Sequence, residues 1–450
     1  MNRRQADVFC LTNPDGGLLS PAVQATVLAK YSRSPLSARE VVQTLSTEEA
    51  DKFQDKWAIA YSHSSVAELG SIPICFEGVS IVASKFLESF QRAGYSEKST
   101  RYQKFSEDSF VTPPGAPDTM LTFAKRFYNA YDRLYPRVLR RVAEAMGKDP
   151  NDPAVLEERT VKARAFDNVR YLLPAGTGTS LGAVMNLRDV RYLIQQARGH
   201  SNPEIQALGE MAFNAASQVC PVLVQKADPD TFEPRIRSLG PLSQKYSHEK
   251  PDWYVDLYKP YLLPSPAQAQ KSFETMVADM YGMGWTTFSK HMEARGKRAV
   301  PKAFRSFRMQ FDIMMDYGAY RDLQRHRRCE QYSEPLTPSY GYLVPDDILG
   351  SDIEPDYRAV MESISAYDDE RVVHDPDLMQ YMIPLGYLHR SMFDMDLAEV
   401  YYVTELRTQP QGHISYRRVC YEMFLIANDY LPGLMKWCNV TKPESIGIHT

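Results

Sequence analysis

The sequence predicts an α+β protein made of two diverged copies of one domain, from two recurrences and the distance between them. A short strand, a helix and a charged segment follow one another in each half of the 450 residues. An apolar turn closed by a proline, then an amphipathic helix, also occurs once in each half. The two prolines, Pro174 and Pro384, lie 210 residues apart. That distance makes the unit a domain and not a solenoid repeat.

The elements follow in order. In Ser71–Phe76 (SIPICF), Ile72, Ile74 and Phe76 share one face, the period of a strand. Val79, Val82, Ala83, Phe86, Leu87 and Phe90 then recur at helical spacing and run into QRAGYSEKSTRY. In the second half Phe307, Met309, Phe311 and Ile313 alternate as a strand, DYGAYRDLQ reads as a helix, and RHRRCEQYSEP follows. The later helices carry the stripes Leu187, Val190, Ile194, Ala197 and Leu397, Val400, Tyr401, Thr404. Between the copies, residues 225–252 are proline-rich and charged and suit a linker, which puts the copies at 1–228 and 229–450. GTGTSLG (Gly176–Gly182) has GxGxxxG spacing, and Pro174 interrupts the strand that a dinucleotide fingerprint should follow. It reads as a flexible loop.

Composition sets outer bounds. A net charge of -4 and 24% charged residues fit a globular protein and exclude one coated for non-specific nucleic-acid binding. The six cysteines are scattered without a CxxC pair, which argues for a reducing compartment and against a disulfide framework. His326 and Cys329 form a lone HxxC without the other ligands zinc needs, so no metal is expected. The opening MNRRQADVFCLTNP is too short in its apolar run for a signal peptide, and no run of about 18 apolar residues would span a membrane. The expectation is a cytoplasmic enzyme or binding protein. Met309, Met314 and Met315 read as core packing.

Three polar clusters stand out. Arg325-His326-Arg327-Arg328 is the densest cationic run, suited to phosphates or an anionic ring, or else to a solvated helix C-terminus. In Ser96–Tyr102 (SEKSTRY), Glu97, Ser99 and Arg101 are spaced to grip a phosphate and a sugar hydroxyl, though a plain connecting loop is equally natural. His63, Ser65 and Glu68 in YSHSSVAEL could equally be an N-cap with its box.

Together these segments resemble the flavin-dependent thymidylate synthases, whose signature RHRxxSxNxxSxR is preceded by GHxSxxE and followed by an LP turn, NxR and a helical Arg. The first half is similar through His63, Ser65 and Glu68, then Ser99 and Arg101, then RYLLP with Arg170, then Asn186 and Arg188. Its RHR positions are Ser89, Phe90 and Gln91. The second half keeps Arg325, His326, Arg327 and Arg407, but its later signature positions are Glu330, Tyr332, Pro335 and Thr337, and Asp396 and Ala398 replace the NxR pair. Asp322 stands where the family usually has Gln, and Arg198 is a displaced candidate for the first half's own ring Arg.

The resemblance implies helices packed on a central mixed sheet, and an enzyme moving a methylene group from methylenetetrahydrofolate to C5 of dUMP, with reduced FAD as hydride source and NADPH as reductant. It implies that His63, Ser65, Glu68, Asn186, Arg188, Arg325, His326 and Arg327 bind FAD. Glu97, Ser99, Arg101, Arg170 and Arg407 would hold dUMP or a related pyrimidine nucleotide, with Arg407 and Ser99 at the reacting ring. Family members are homotetramers with shared sites. A homodimer of this chain would therefore imitate four domains, with half its sites built from both repeats and the other half empty. C5 modification of another pyrimidine nucleotide and a non-catalytic nucleotide-binding role are the alternatives, discriminated by FAD uptake and dTMP formation.

Overall fold

The computed structural model describes residues 11–13, 17–32, 34–43, 64–100, 103–225, 227–231, 236–246, 252–258 and 265–443. His63 and Arg101 lie outside these, as does the side chain of Ser65.

The first copy runs α1 (Pro21–Tyr31), β1 (Ser71–Ser80), α2 (Ile81–Leu87), β2 (Gly94–Glu97), α3 (Thr119–Ala145), α4 (Arg159–Val169), β3 (Gly178–Asn186), α5 (Leu187–Arg198) and α6 (Pro203–Val219). The second runs β4 (Tyr254–Leu257), β5 (Arg308–Asp316), α7 (Tyr317–Leu323), β6 (Cys329–Ser333), α8 (Glu354–Glu362), β7 (Leu388–Asp396), α9 (Leu397–Arg407) and α10 (Ile414–Tyr430). The α+β duplication is thus present, with one sheet in each copy, and every described strand pairing is antiparallel. Their orders, β1-β3-β2 and β4-β5-β7-β6, match strand for strand apart from the added β4.

Periodicity explains the strands. Ile72, Ile74 and Phe76 are buried while Ser71, Pro73 and Cys75 are exposed, and Pro73 is tolerated because β1 is an edge strand. The register slips between Glu77 and Val79, where Gly78 takes a φ of 66° that only glycine adopts readily. Both helix stripes are fully buried, as are the three methionines. GTGTSLG is a correction: Gly178–Asn186 is β3, the central strand of its sheet. Its glycines meet a packing need, because a Cβ on Gly176 would lie 2.5 Å from the Phe110 ring and 2.9 Å from the Tyr381 carbonyl.

The two prolines meet. Pro174 and Pro384 form an antiparallel bridge, and around it each copy donates to the other. Ala175 N bonds Ile383 O (2.8 Å) and Leu385 N bonds Leu173 O (2.9 Å), while Gly176 N bonds Tyr381 O (2.8 Å) and Gly386 N bonds Tyr171 O (3.0 Å). These pairs interchange under a shift of 210 residues, the signature of a pseudo-twofold axis. Two buried tyrosines cross it. Tyr381 donates to Glu204 (2.6 Å), which also accepts from Ser80 (2.6 Å). Tyr171 sits beside Asp316, which accepts from Ser415. Acid and hydroxyl have changed places: Ser80 and Asp316 each cap the helix after the first strand of their copy.

The segment between the copies is pinned at both ends. Asp230 N bonds Gln195 O (3.0 Å) on the first copy. On the second, Arg390, 1% exposed, pairs twice with Asp312 and donates to the carbonyls of Gly240 (2.6 Å) and Pro241 (2.9 Å). The linker expected from composition is a strap.

Candidate active site

The cationic run begins where α7 ends. Asp316 closes β5 and caps α7 by accepting from Ala319 N (2.7 Å), so the helix starts on a fixed point of the buried sheet. Seven residues later the chain turns back as 324–328 before entering β6. A strand-fed helix terminus was the expectation. The four basic side chains do not simply fan into solvent, however; each has a defined neighbour.

Arg325 pairs with Asp322. His326, 4% exposed, accepts from Arg407 Nε at Nε2 (2.7 Å) and turns Nδ1 toward Glu399 (3.7 Å). Accepting at Nε2 requires the proton on Nδ1, and burial lowers the pKa below its usual value, with neighbouring Arg407 acting the same way. The ring is therefore a neutral, oriented acceptor at pH 7. Arg327 lies over the Tyr95 ring of the first copy (5.1 Å). Arg328 pairs with Asp396 (2.8 Å).

Arg407 is held from three sides. Besides His326, its Nη1 is 3.9 Å from Asp322 and its guanidinium lies over Tyr416 (5.5 Å). Across the dyad comes Arg170, 4% exposed, 3.7 Å from Asp167 and 3.9 Å from Asp322. Its Nε and Nη2 have no hydrogen-bond partner among the described residues. Burial opposes ionisation of Asp322, but Arg325, Arg170 and Arg407 outweigh it and hold the carboxyl below its usual range. Three guanidiniums from two copies thus surround one carboxylate, a charge surplus suited to an anion.

Glu97, at the end of β2, reaches the same interface. Its carboxylate accepts from Ser84 (3.0 Å), Lys85 (3.3 Å) and Arg321 of the second copy (3.0 Å). Burial alone would raise its pKa, yet Arg321 and Lys85 bring it down to about 2. Lys85 is shared with Glu88. Ser99, two residues on, is half-buried.

The remaining first-copy residues form a separate group. Glu68 accepts from Arg188 (2.6 Å) and Arg92 (3.1 Å). Asn186 is occupied as the cap of α5, accepting from Asp189 N (3.0 Å) and donating to its carboxylate (2.6 Å). Tyr95 stands between this group and Arg327: Arg327 lies over its ring, and the ring also feels the carboxylate of Asp189, which Asn186 and Arg92 hold. Arg198, the displaced candidate for the first copy's ring Arg, pairs with Glu210 (2.7 Å) and lies over Phe213 (4.1 Å). Sequence reasoning missed Glu399, Arg321 and Lys85. The signal for Glu399 was its place three residues after Asp396, matching Asp189 after Asn186; the other two carried none, because their partner Glu97 sits on another element.

Among the described residues no helix is long and apolar enough to cross a membrane, and no cluster of His, Cys, Asp or Glu could hold a metal.

The family described as "Thymidylate synthase complementing protein" matches residues 20–222 and 287–433. The UPF0159 protein of Chlamydia pneumoniae is 28% identical, over 92% of this chain and 88% of its own. The flavin-dependent thymidylate synthase of Clostridium tetani is 25% identical over 45% of this chain and 80% of its own, the proportions expected when one domain meets a duplicated chain. A crystal structure of the Helicobacter pylori flavin-dependent thymidylate synthase with FAD and dUMP covers 47% of this chain and 96% of its own, at 15% identity and a TM-score of 0.34. With two segments matching one family and the same strand order in both, the chain belongs to the flavin-dependent thymidylate synthase-like family as a tandem-duplicated member.

Proposed function

We propose that this protein is an FAD-dependent thymidylate synthase, converting dUMP to dTMP with methylenetetrahydrofolate as carbon donor and NADPH as the reductant of the flavin. The observation that carries this reading is the cluster of Arg170, Arg325 and Arg407 around Asp322, to which each copy contributes. In this reading Arg170, with its two unpartnered nitrogens, Glu97, Ser99 and Arg101 hold the nucleotide. Arg407 stabilises negative charge developing on the pyrimidine, with a cation that cannot titrate away and a guanidinium aimed by neutral His326.

The donor set suits FAD. Arg325 is exposed, Arg327 has an unpartnered Nη1, and Arg188 is partly exposed, which is the chemistry a pyrophosphate requires. Together with His63, Ser65, Glu68, Asn186 and His326 they would hold it. In this reading the protein is a homodimer whose four repeats stand for the four subunits of the family, with both repeats contributing residues to each working site. Bound reduced FAD would supply the hydride.

The test is direct. Purified protein should be yellow or take up FAD, and with dUMP, methylenetetrahydrofolate and NADPH should form dTMP; a colourless protein that takes up no FAD overturns the proposal. Glu330, Tyr332 and Pro335, which replace the later signature residues in the second copy, favour a second reading, with another pyrimidine nucleotide as the C5 substrate. A flavin-loaded protein that leaves dUMP unchanged but turns over UMP would select that reading.

A further inference from the structure

His326 has a counterpart in the first copy, and the two surroundings differ at three places together. Ser80 to Arg92 in the first copy corresponds to Asp316 to Arg328 in the second, so Phe90 stands for His326. The packing agrees: Phe90 meets Tyr192 edge-on at 5.7 Å, and His326 meets Tyr402 edge-on at 5.7 Å, the two tyrosines lying 210 residues apart. Under that same shift Asp189 stands for Glu399 and Ala197 for Arg407. Where the ring is Phe, the acid is Asp and the third residue is Ala. Where the ring is His, the acid is one methylene longer and the third residue is Arg.

The acids also have different partners. Asp189 accepts from Arg92 and from Asn186 (2.6 Å). Arg328, the counterpart of Arg92, pairs instead with Asp396 (2.8 Å) and stands 3.9 Å from one oxygen of Glu399. The other oxygen of Glu399, a residue 3% exposed, faces His326 Nδ1 at 3.7 Å. The His326 backbone is clamped, its N–H donating to Leu323 O (3.0 Å) and its carbonyl accepting from Gln331 Nε2 (2.8 Å) and Cys329 Sγ (2.9 Å). Only the ring is left to be set, and a charged group addresses each of its nitrogens: Arg407 at Nε2, Glu399 at Nδ1.

At 3.7 Å the Glu399 contact is longer than a hydrogen bond, yet it decides where the proton sits. In a buried site an N–H pointing at a carboxylate is attracted, and a lone pair pointing at it is repelled. The proton therefore stays on Nδ1, and Nε2 keeps the lone pair that the Arg407 Nε–H requires. We propose that Glu399 is a positioning residue for Arg407, acting through His326: it holds the ring proton on Nδ1, and the ring in turn holds the guanidinium fork. The effect on turnover rests on the thymidylate synthase reading, whereas the place of the proton does not, so the two fail separately.

Nitrogen NMR of the full-length protein with isotope-labelled histidine reads the tautomer, the His326 signals being those absent from H326F. Wild type should carry the proton on Nδ1. So should R407A, in which no guanidinium is left to choose and an isolated imidazole would favour Nε2. In E399Q the amide oxygen stays with Arg328 and the NH2 turns to the ring, so the proton should move to Nε2 and oppose the Arg407 N–H. E399Q should then lower kcat for dTMP formation about 30-fold, with KM for dUMP changed less than about twofold and little change in melting temperature. A proton on Nε2 in wild type or R407A, a proton still on Nδ1 in E399Q, or a kcat for E399Q within about threefold of wild type would each overturn the proposal. R407A decides the matter should E399Q fail to fold. Wild type that takes up no FAD and forms no dTMP overturns the functional reading and leaves the tautomer result standing.

Discussion

Arg407 shows how much of the proposed site depends on one hydrogen bond. Its Nε donates to a His326 ring that burial keeps neutral, and only a guanidinium can make that bond while leaving two further nitrogens for a ligand. Arg407→Lys keeps the charge and loses the fork, so dTMP formation should fall about 100-fold in kcat/KM with little change in melting temperature. A loss of less than about threefold would remove Arg407 from the reacting centre. Glu97 makes the complementary argument for charge. Its carboxyl is held at about 2, below the ordinary 4.5, so its contribution to stability is present above pH 4.5 and disappears as pH falls toward 2. Glu97→Gln leaves Lys85 and Arg321 facing a neutral amide. It should cost about 3 kcal/mol at pH 7, and in acid titration the variant should lose the part of the stability slope between pH 4.5 and 2, measured by urea unfolding across that range.

At the scale of elements, the glycine-rich stretch 176–182 that leads into β3 marks the limit of local reading. Gly176→Ala would press a methyl against Phe110 and the Tyr381 carbonyl, and should destabilise by about 2–3 kcal/mol, lowering the thermal midpoint; an unchanged midpoint would mean the two copies do not pack this tightly. Composition made this stretch look like a loop because its three glycines are poor strand formers and its start follows a proline. What makes it a strand is pairing with β1 and β2 and close approach from Phe110 and Tyr381, which local periodicity cannot register. The strands β1 and β5 were legible for the opposite reason: alternating Ile72, Ile74, Phe76 and Met309, Phe311, Ile313 carry their own instruction. The same division runs through the candidate site. Arg325 and His326 stood out by residue type and Arg407 through the family signature, whereas Arg321 acts through Glu97 and Lys85 from a different element, and nothing in its own helix announces that. The strap over 236–246 was hidden likewise, since Arg390, which holds it, is about 150 residues away.

For the whole molecule, sites shared between the chains of a homodimer, as the proposed function has them, predict complementation. Arg327→Ala and Ser99→Ala proteins, each inactive alone, should regain activity when co-refolded, measured as dTMP formed per mixed dimer; no recovery would confine each site to one chain. The strap has a consequence of its own. Held on both copies, it makes their association intramolecular, at an effective concentration that short connections raise to millimolar or beyond. In a symmetric homodimer every substitution is written into both sites at once, so neither can change without the other. Joined in one chain, the two surfaces are encoded separately while remaining obligate neighbours. Ser89 and Arg325, or Gln380 and Arg170, can then differ without the copies ever having to recognise each other from solution.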